Sequence, residues 1–135
     1  VMSLGQLSRW YNSLLPMPTR RVIARAFEFD EKVLERLLHH LTTVRNVCAH
    51  HGRLWNREFT VIPQLPRSKP FGLNAQLVPG SRRLYNTLVL LVQALSVVSP
   101  GNHWRDRLLD LCSKHRADYT VMGFPAGWES MPIWA

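Results

Sequence analysis

The sequence predicts an all-α fold: a helical bundle of four to five helices, with a long Pro-rich loop and an irregular aromatic C-terminal tail. Three observations carry this prediction. Apolar residues recur at helical spacing along most of the chain. No two segments alternate in a way that reads as a strand pair. With 135 residues and 46% hydrophobic content, the chain can bury one core, which excludes a disordered protein. A single domain across residues 1–135 is therefore expected.

The first helix is expected over residues 3–15, SLGQLSRWYNSLL, where positions 4, 7, 10, 11, 14 and 15 are apolar and Pro16 and Pro18 close the run. TRRVIARAF predicts a second, short helix with Thr19 as its N-cap. The third helix is the longest. Asp30 is its expected N-cap, Val33, Leu34, Leu37, Leu38, Leu41, Val44 and Cys48 form one apolar stripe, and Gly52 is its stop signal. From Glu58 to Ser81 the periodicity breaks, and Pro63, Pro66, Pro70 and Pro79 predict a loop with an extended piece at FTVIP. A fourth helix over 81–98 is apolar on nearly all of its inner side. SPGN makes a turn with Asn102 as cap, and residues 103–115 predict a fifth, amphipathic helix. The tail MGFPAGWESMPIW holds too much Gly and Pro for a long helix. Trp128 and Trp134 are too apolar to leave in water, so the tail is expected to pack back across the bundle.

Composition narrows the functional classes. LVLLVQALSVV, the most apolar run, is too short to span a bilayer and contains Gln93, so no membrane partner is expected. The N-terminus lacks the order of features of a secretory signal. Cys48 and Cys112 both fall in apolar helical patterns and are expected as free, buried thiols, which suits a cytoplasmic location. Net charge is +8, and 14 of the 17 basic residues are arginine. Guanidinium grips phosphate bidentately, so this bias suits a nucleic-acid surface. Arginine richness on an ordinary solvated face is the competing explanation, and a basic patch also suits an acidic protein or an anionic membrane surface.

The stretch TTVRNVCAHHGRLWNR, at the end of the third helix, concentrates polar residues. At 100° per residue, Asn46 and His50 stack as i and i+4 and point away from the apolar stripe, with Arg45 at its edge and His39 one heptad before Asn46. Such residues at a helix C-terminus also complement the macrodipole and free carbonyls, which makes a polar cap the plainer explanation. Zinc ligation is not expected, because no CxxC or HExxH is present, and the nearby acids, Glu35 and Glu58, are too few for a two-metal nuclease. No cofactor is expected. The side-chain types do suit metal-independent RNA cleavage. Imidazole handles protons near neutral pH, guanidinium stabilises phosphoryl charge, and an amide orients either one.

RNVCAH, residues 45–50, resembles the R-x4-6-H signature of HEPN domains, helical bundles found in RNases of toxin–antitoxin, CRISPR and phage-defence systems. The longer string VRNVCAHHGRLWNR, the opening LGQLSRWYNSL and the tail MGFPAGW…PIW resemble the Abi-like abortive-infection family of AbiD/AbiF type, from about Leu4 to Trp134. The resemblance implies a HEPN-like fold, with Arg45 and His50 as a catalytic pair and Asn46 as an auxiliary. His51 also fits the looser spacing, and His39 is a further auxiliary candidate. Arg53 and Arg57 would hold RNA phosphates, whereas Trp55 is expected in the core. The implied partners are RNA, a second copy completing a composite active site, and an antitoxin protein or non-coding RNA. Abi-like proteins are usually longer, so the chain looks like a C-terminal part. Some HEPN toxins are regulated by modification of a tyrosine two residues after the motif histidine. Gly52 stands there, so that control is not expected.

Overall fold

The computed structural model describes residues 2–67 and 70–135; Ser68 and Lys69, part of the expected loop, lie outside the described residues. Five α-helices form the bundle: α1 (Leu4–Ser13), α2 (Met17–Ala26), α3 (Glu31–Ala49), α4 (Tyr85–Val98) and α5 (Trp104–Lys114). Short 3-10 turns occur at Asn74–Gln76 and Trp128–Ser130. No strand occurs among the described residues. No helix among them is long and apolar enough to cross a membrane.

Local chemistry sets the helix starts. Ser3 and Gln6 form a reciprocal capping box. Ser3 Oγ accepts from the Gln6 N–H at 3.2 Å, and the Ser3 N–H donates to Gln6 Oε1 at 2.8 Å. α2 begins earlier than expected. Pro16 takes the N-cap position and Pro18 sits in the first turn, where a missing N–H costs nothing, so Thr19 lies inside the helix. Asp30 caps α3 by position, without a side-chain hydrogen bond. Asn102 closes the turn before α5: its Oδ1 accepts from the Trp104 N–H at 3.0 Å and its Nδ2 donates to the Leu95 and Ser99 carbonyls.

Three helices end in the same way. After α2, α3 and α5 the chain enters the left-handed region at Glu28 (φ 59°), His51 (φ 53°) and Arg116 (φ 50°). The next N–H then folds back onto the helix: Phe29 to the Ala24 carbonyl at 3.0 Å, Gly52 to Val47 at 2.7 Å and Ala117 to Cys112 at 2.8 Å. The left-handed residue at the end of α3 is thus His51, and Gly52 follows it. Gly52 has its own steric reason, since a Cβ there would stand 2.8 Å from Val47 Cγ1. His51→Gly is expected to raise stability by ~1 kcal/mol by removing the left-handed penalty, while Gly52→Ala is expected to lower it. Urea unfolding checks both, and an unchanged or lower midpoint for His51→Gly would contradict this account.

The core lies between α3, α4 and the tail. α1 runs along α3. Tyr11 is buried, and its hydroxyl donates to the Arg20 carbonyl at 3.0 Å, with the Glu31 carbonyl at 3.4 Å as a second acceptor. That hydroxyl ties α1, α2 and α3 together, and burial pushes its pKa up to about 12. Every residue from Leu84 to Leu90 is buried, including Asn86 and Thr87. Asn86 is satisfied by Val78, accepting from its N–H at 2.9 Å and donating to its carbonyl at 2.7 Å.

The tail packs back as expected. Trp134 is buried and Trp128 half-buried, in an aromatic cluster with Tyr85, Tyr119 and Phe124. Two expectations fail. Cys48 is exposed rather than buried, because the last turn of α3 runs out past the core; Leu41 and Val44 are already only half-buried. Trp55 is 40% exposed rather than in the core, because Leu54 takes the inward position at this bend. Cys112 is buried and free as expected, and burial pushes its thiol pKa up.

Candidate functional site

The last turn of α3 and the bend after it build a shallow, open cavity. Thr43, Asn46, Val47, His50, Gly52 and Arg57 line it, around a volume of about 350 Å³. The i, i+4 relation places Asn46 and His50 on one side of the helix, as expected. His50 is the C-cap of α3, and its N–H donates to the Asn46 carbonyl at 3.1 Å. Arg45 is not part of the lining. It joins the cavity through Asn46, donating from Nη1 to the amide Oδ1 at 3.3 Å. Arg45, Asn46 and His50 are all exposed.

Arg57 reaches the cavity because the chain turns back on itself. Its N–H donates to the Leu54 carbonyl at 3.0 Å. Arg83, at the head of α4, holds this bend from outside, donating from Nη1 to the Asn56 carbonyl at 2.8 Å and pairing its Nη2 with Glu58 Oε1 at 2.8 Å. Arg83 itself is pressed against Gly123, where an added Cβ would stand 2.5 Å from Arg83 Cβ. Arg83 is thus a positioning residue that sequence reasoning missed. Its only signal was a basic pair, Arg82–Arg83, at the start of an apolar helix.

The other candidates fall elsewhere. His51 is exposed, outside the cavity lining, and serves as the left-handed residue of the helix end. His39 lines a separate cavity of about 430 Å³ with Arg36 and residues 60–64. Arg53 is exposed and outside the motif cavity.

His40, which sequence reasoning passed over, is only 1% exposed and joins three segments. Its Nδ1 lies 2.7 Å from the Val61 carbonyl and its Nε2 2.7 Å from Thr87 Oγ1. A carbonyl only accepts, so Nδ1 carries the proton, and Nε2 accepts from the Thr87 hydroxyl. The His40 ring also packs edge-on against Phe59, with centroids 5.0 Å apart. Its spacing, i+7 from Val33 and i+3 from Leu37, would have placed it on the apolar stripe.

The cavity thus brings together one imidazole, one amide and one guanidinium, with a second guanidinium bonded to the amide. No carboxylate lines it. Among the described residues no group of three or more His, Cys, Asp and Glu could hold a metal ion. Such a surface can receive an anion and can move one proton through His50.

A family model described as Abi-like protein matches residues 1–56. The match takes in α1, α2, α3 and the motif as far as Asn56; Arg57 and the aromatic tail, which the resemblance had included, lie beyond it. No curated protein and no solved structure matches the chain.

Proposed function

We propose that this chain, whose residues 1–56 match the Abi-like family model, acts in anti-phage abortive infection or toxin–antitoxin defence as a cytoplasmic, metal-independent HEPN-type endoribonuclease. The observation that carries this reading is the shared cavity of Asn46, His50 and Arg57, with Arg45 bonded to its Asn46 wall. In the proposed reaction the 2′-oxygen of the RNA attacks the adjacent phosphorus. A base takes the 2′-OH proton, the bond from phosphorus to the 5′-oxygen breaks, and an acid protonates the leaving oxygen. Arg45 and Arg57 stabilise the charge on the non-bridging oxygens. His50 supplies one of the two proton transfers, and Asn46 orients the phosphate or the imidazole.

The products test this mechanism. RNA fragments should end in a 2′,3′-cyclic phosphate and begin with a 5′-OH, EDTA should leave the rate unchanged, and DNA should survive. Cleavage that stops with EDTA and returns with magnesium would contradict the proposal.

One cavity holds one imidazole, yet the reaction needs both a base and an acid. We therefore place two copies across a two-fold axis, so that two His50 and two Arg45 residues surround one phosphate. The two motif faces should lie within reach of each other in an active dimer. Ultracentrifugation of the active species checks this, and activity that sediments as a monomer would rule out the composite site.

A further inference from the structure

A second concavity adjoins the 52–57 bend and shares no lining residue with the motif cavity. It is an open groove of about 600 Å³ between the Leu54–Trp55 step, the start of α4 and one face of α5. Leu54, Leu84, Leu108, Leu111, Cys112 and Met122 give it an almost wholly apolar lining. Two large apolar side chains on it stand in water, Trp55 at 40% and Leu111 at 56% exposure. An exposed tryptophan beside an apolar trough is the usual composition of an interface centre.

The rim has the opposite character. On α5, Arg107 and Lys114 lie at i−4 and i+3 from Leu111, so they flank it on its solvent edge. His115 and Arg116 close the end of the groove. Among the described residues, none of Arg107, Lys114 and Arg116 forms an ion pair. Asp110 stands between Arg107 and Lys114 on α5 without forming an ion pair among the described residues. The one acid in the groove lining, Asp118, is turned to its own backbone: its Oδ1 accepts from the Thr120 N–H at 2.8 Å and from the Thr120 hydroxyl at 2.6 Å. Arg116 is the left-handed residue at the end of α5, with φ 50°.

We propose that this groove docks an acidic amphipathic helix of a partner protein, its apolar side chains seated between Trp55 and Leu111 and its carboxylates against Arg107, Lys114 and Arg116. A second copy of this chain is the poorer occupant at this groove, because a two-fold contact here would set the unpaired cationic rims against each other with no anion between them. RNA is drawn by the same charges, but its polar backbone leaves an aliphatic trough unfilled. The occupant would rest on Leu54 and Trp55, within three residues of Arg57 in the motif cavity. Docking there grips the bend that positions Arg57, which gives a partner a route to the motif without covering it. The proposal stands apart from the ribonuclease reading, since binding at the groove is measurable without any cleavage.

The test uses a fluorescein-labelled helical peptide with leucines at i, i+3, i+4 and i+7 and glutamates on its flanks, followed by polarisation. Saturable binding is expected, weakened by salt, and weakened at least about tenfold by Trp55→Ala or Leu111→Glu. Arg116→Gly should also weaken it. That variant relaxes the left-handed strain, so loss of fold cannot explain its effect. His50→Ala should bind the peptide like the wild type. The proposal is overturned if the peptide fails to bind, or if a lysine-flanked version binds equally well. It is also overturned if Leu111→Glu converts a wild-type dimer to a monomer, which would make the groove a self-interface. Displacement of the peptide by single-stranded RNA, with RNA affinity falling in Trp55→Ala, would assign the groove to RNA instead.

Discussion

His50→Ala and Arg45→Ala are each expected to lower RNA cleavage by at least about 10²-fold while leaving stability within ~0.5 kcal/mol of the wild type. Both side chains are exposed at the end of α3, and truncating either opens no cavity in the core. Among the described residues, the Arg45 guanidinium makes its hydrogen bond only to the neighbouring Asn46 amide. The two variants should differ in RNA affinity. Arg45→Ala removes a cation and should reduce the salt dependence of binding, whereas His50→Ala should bind RNA nearly as before. Denaturing gels, filter binding at several salt concentrations and thermal melts together check the set. A melt lowered by several degrees in either variant would make the motif a helix cap. Undiminished cleavage by His50→Ala would remove the imidazole from the mechanism, and undiminished cleavage by His51→Ala is expected from its place outside the cavity.

His40→Ala should be the most destabilising substitution at a polar position, by ~3 kcal/mol. It leaves the Val61 carbonyl and the Thr87 hydroxyl without their 2.7 Å partner in a buried setting, and it opens a void beside Phe59. The same residue makes stability depend on pH. Burial, with a smaller contribution from neighbouring His39, pushes the His40 pKa below the ordinary 6.5, against an opposing pull from the Val61 bond. The unfolded chain therefore takes up this proton more readily than the folded one. The stabilisation is complete above pH 6.5 and is lost progressively as pH falls below that value towards the lowered folded one. Urea titrations across this range, for wild type and His40→Ala, isolate the effect by difference. Equal pH slopes for the two proteins would contradict it.

His40 and Cys48 show what spacing reveals and what it hides. The stripe through Val33, Leu37 and Leu41 was legible because burial on a helix follows a fixed angle, and it correctly sets the core side of α3. The angle says nothing of how far the neighbouring elements reach. Cys48 continues the stripe yet lies beyond its cover, while His40 lies on the stripe and is hidden by being polar. Asn46 and His50 were found together because one helix turn relates them. Arg57 joins them only through a bend held by Arg83, which lies 27 residues from Asn56, and no local pattern reports such a tie. Trp55 was assigned to the core from residue type alone, and its exposure depends on which of two adjacent apolar side chains the bend turns inward.

The aromatic cluster around the tail gives the molecule a separable optical signature. Trp128 and Trp134 stand 5.8 Å apart at 88°, with Phe124 and Tyr85 against them, so their transitions couple in a fixed chiral arrangement. Near-ultraviolet circular dichroism should be dominated by this pair and should lose most of its intensity when the tail undocks, leaving the smaller contribution of Trp104 and Tyr11 in the bundle. Trp10 and Trp55, at 48% and 40% exposure, belong to a different population. They should emit at longer wavelength and be quenched first by iodide. Dichroism then follows the tail while quenching follows the outer surface, so one sample reports detachment of the C-terminal segment and occlusion of the surface as independent events.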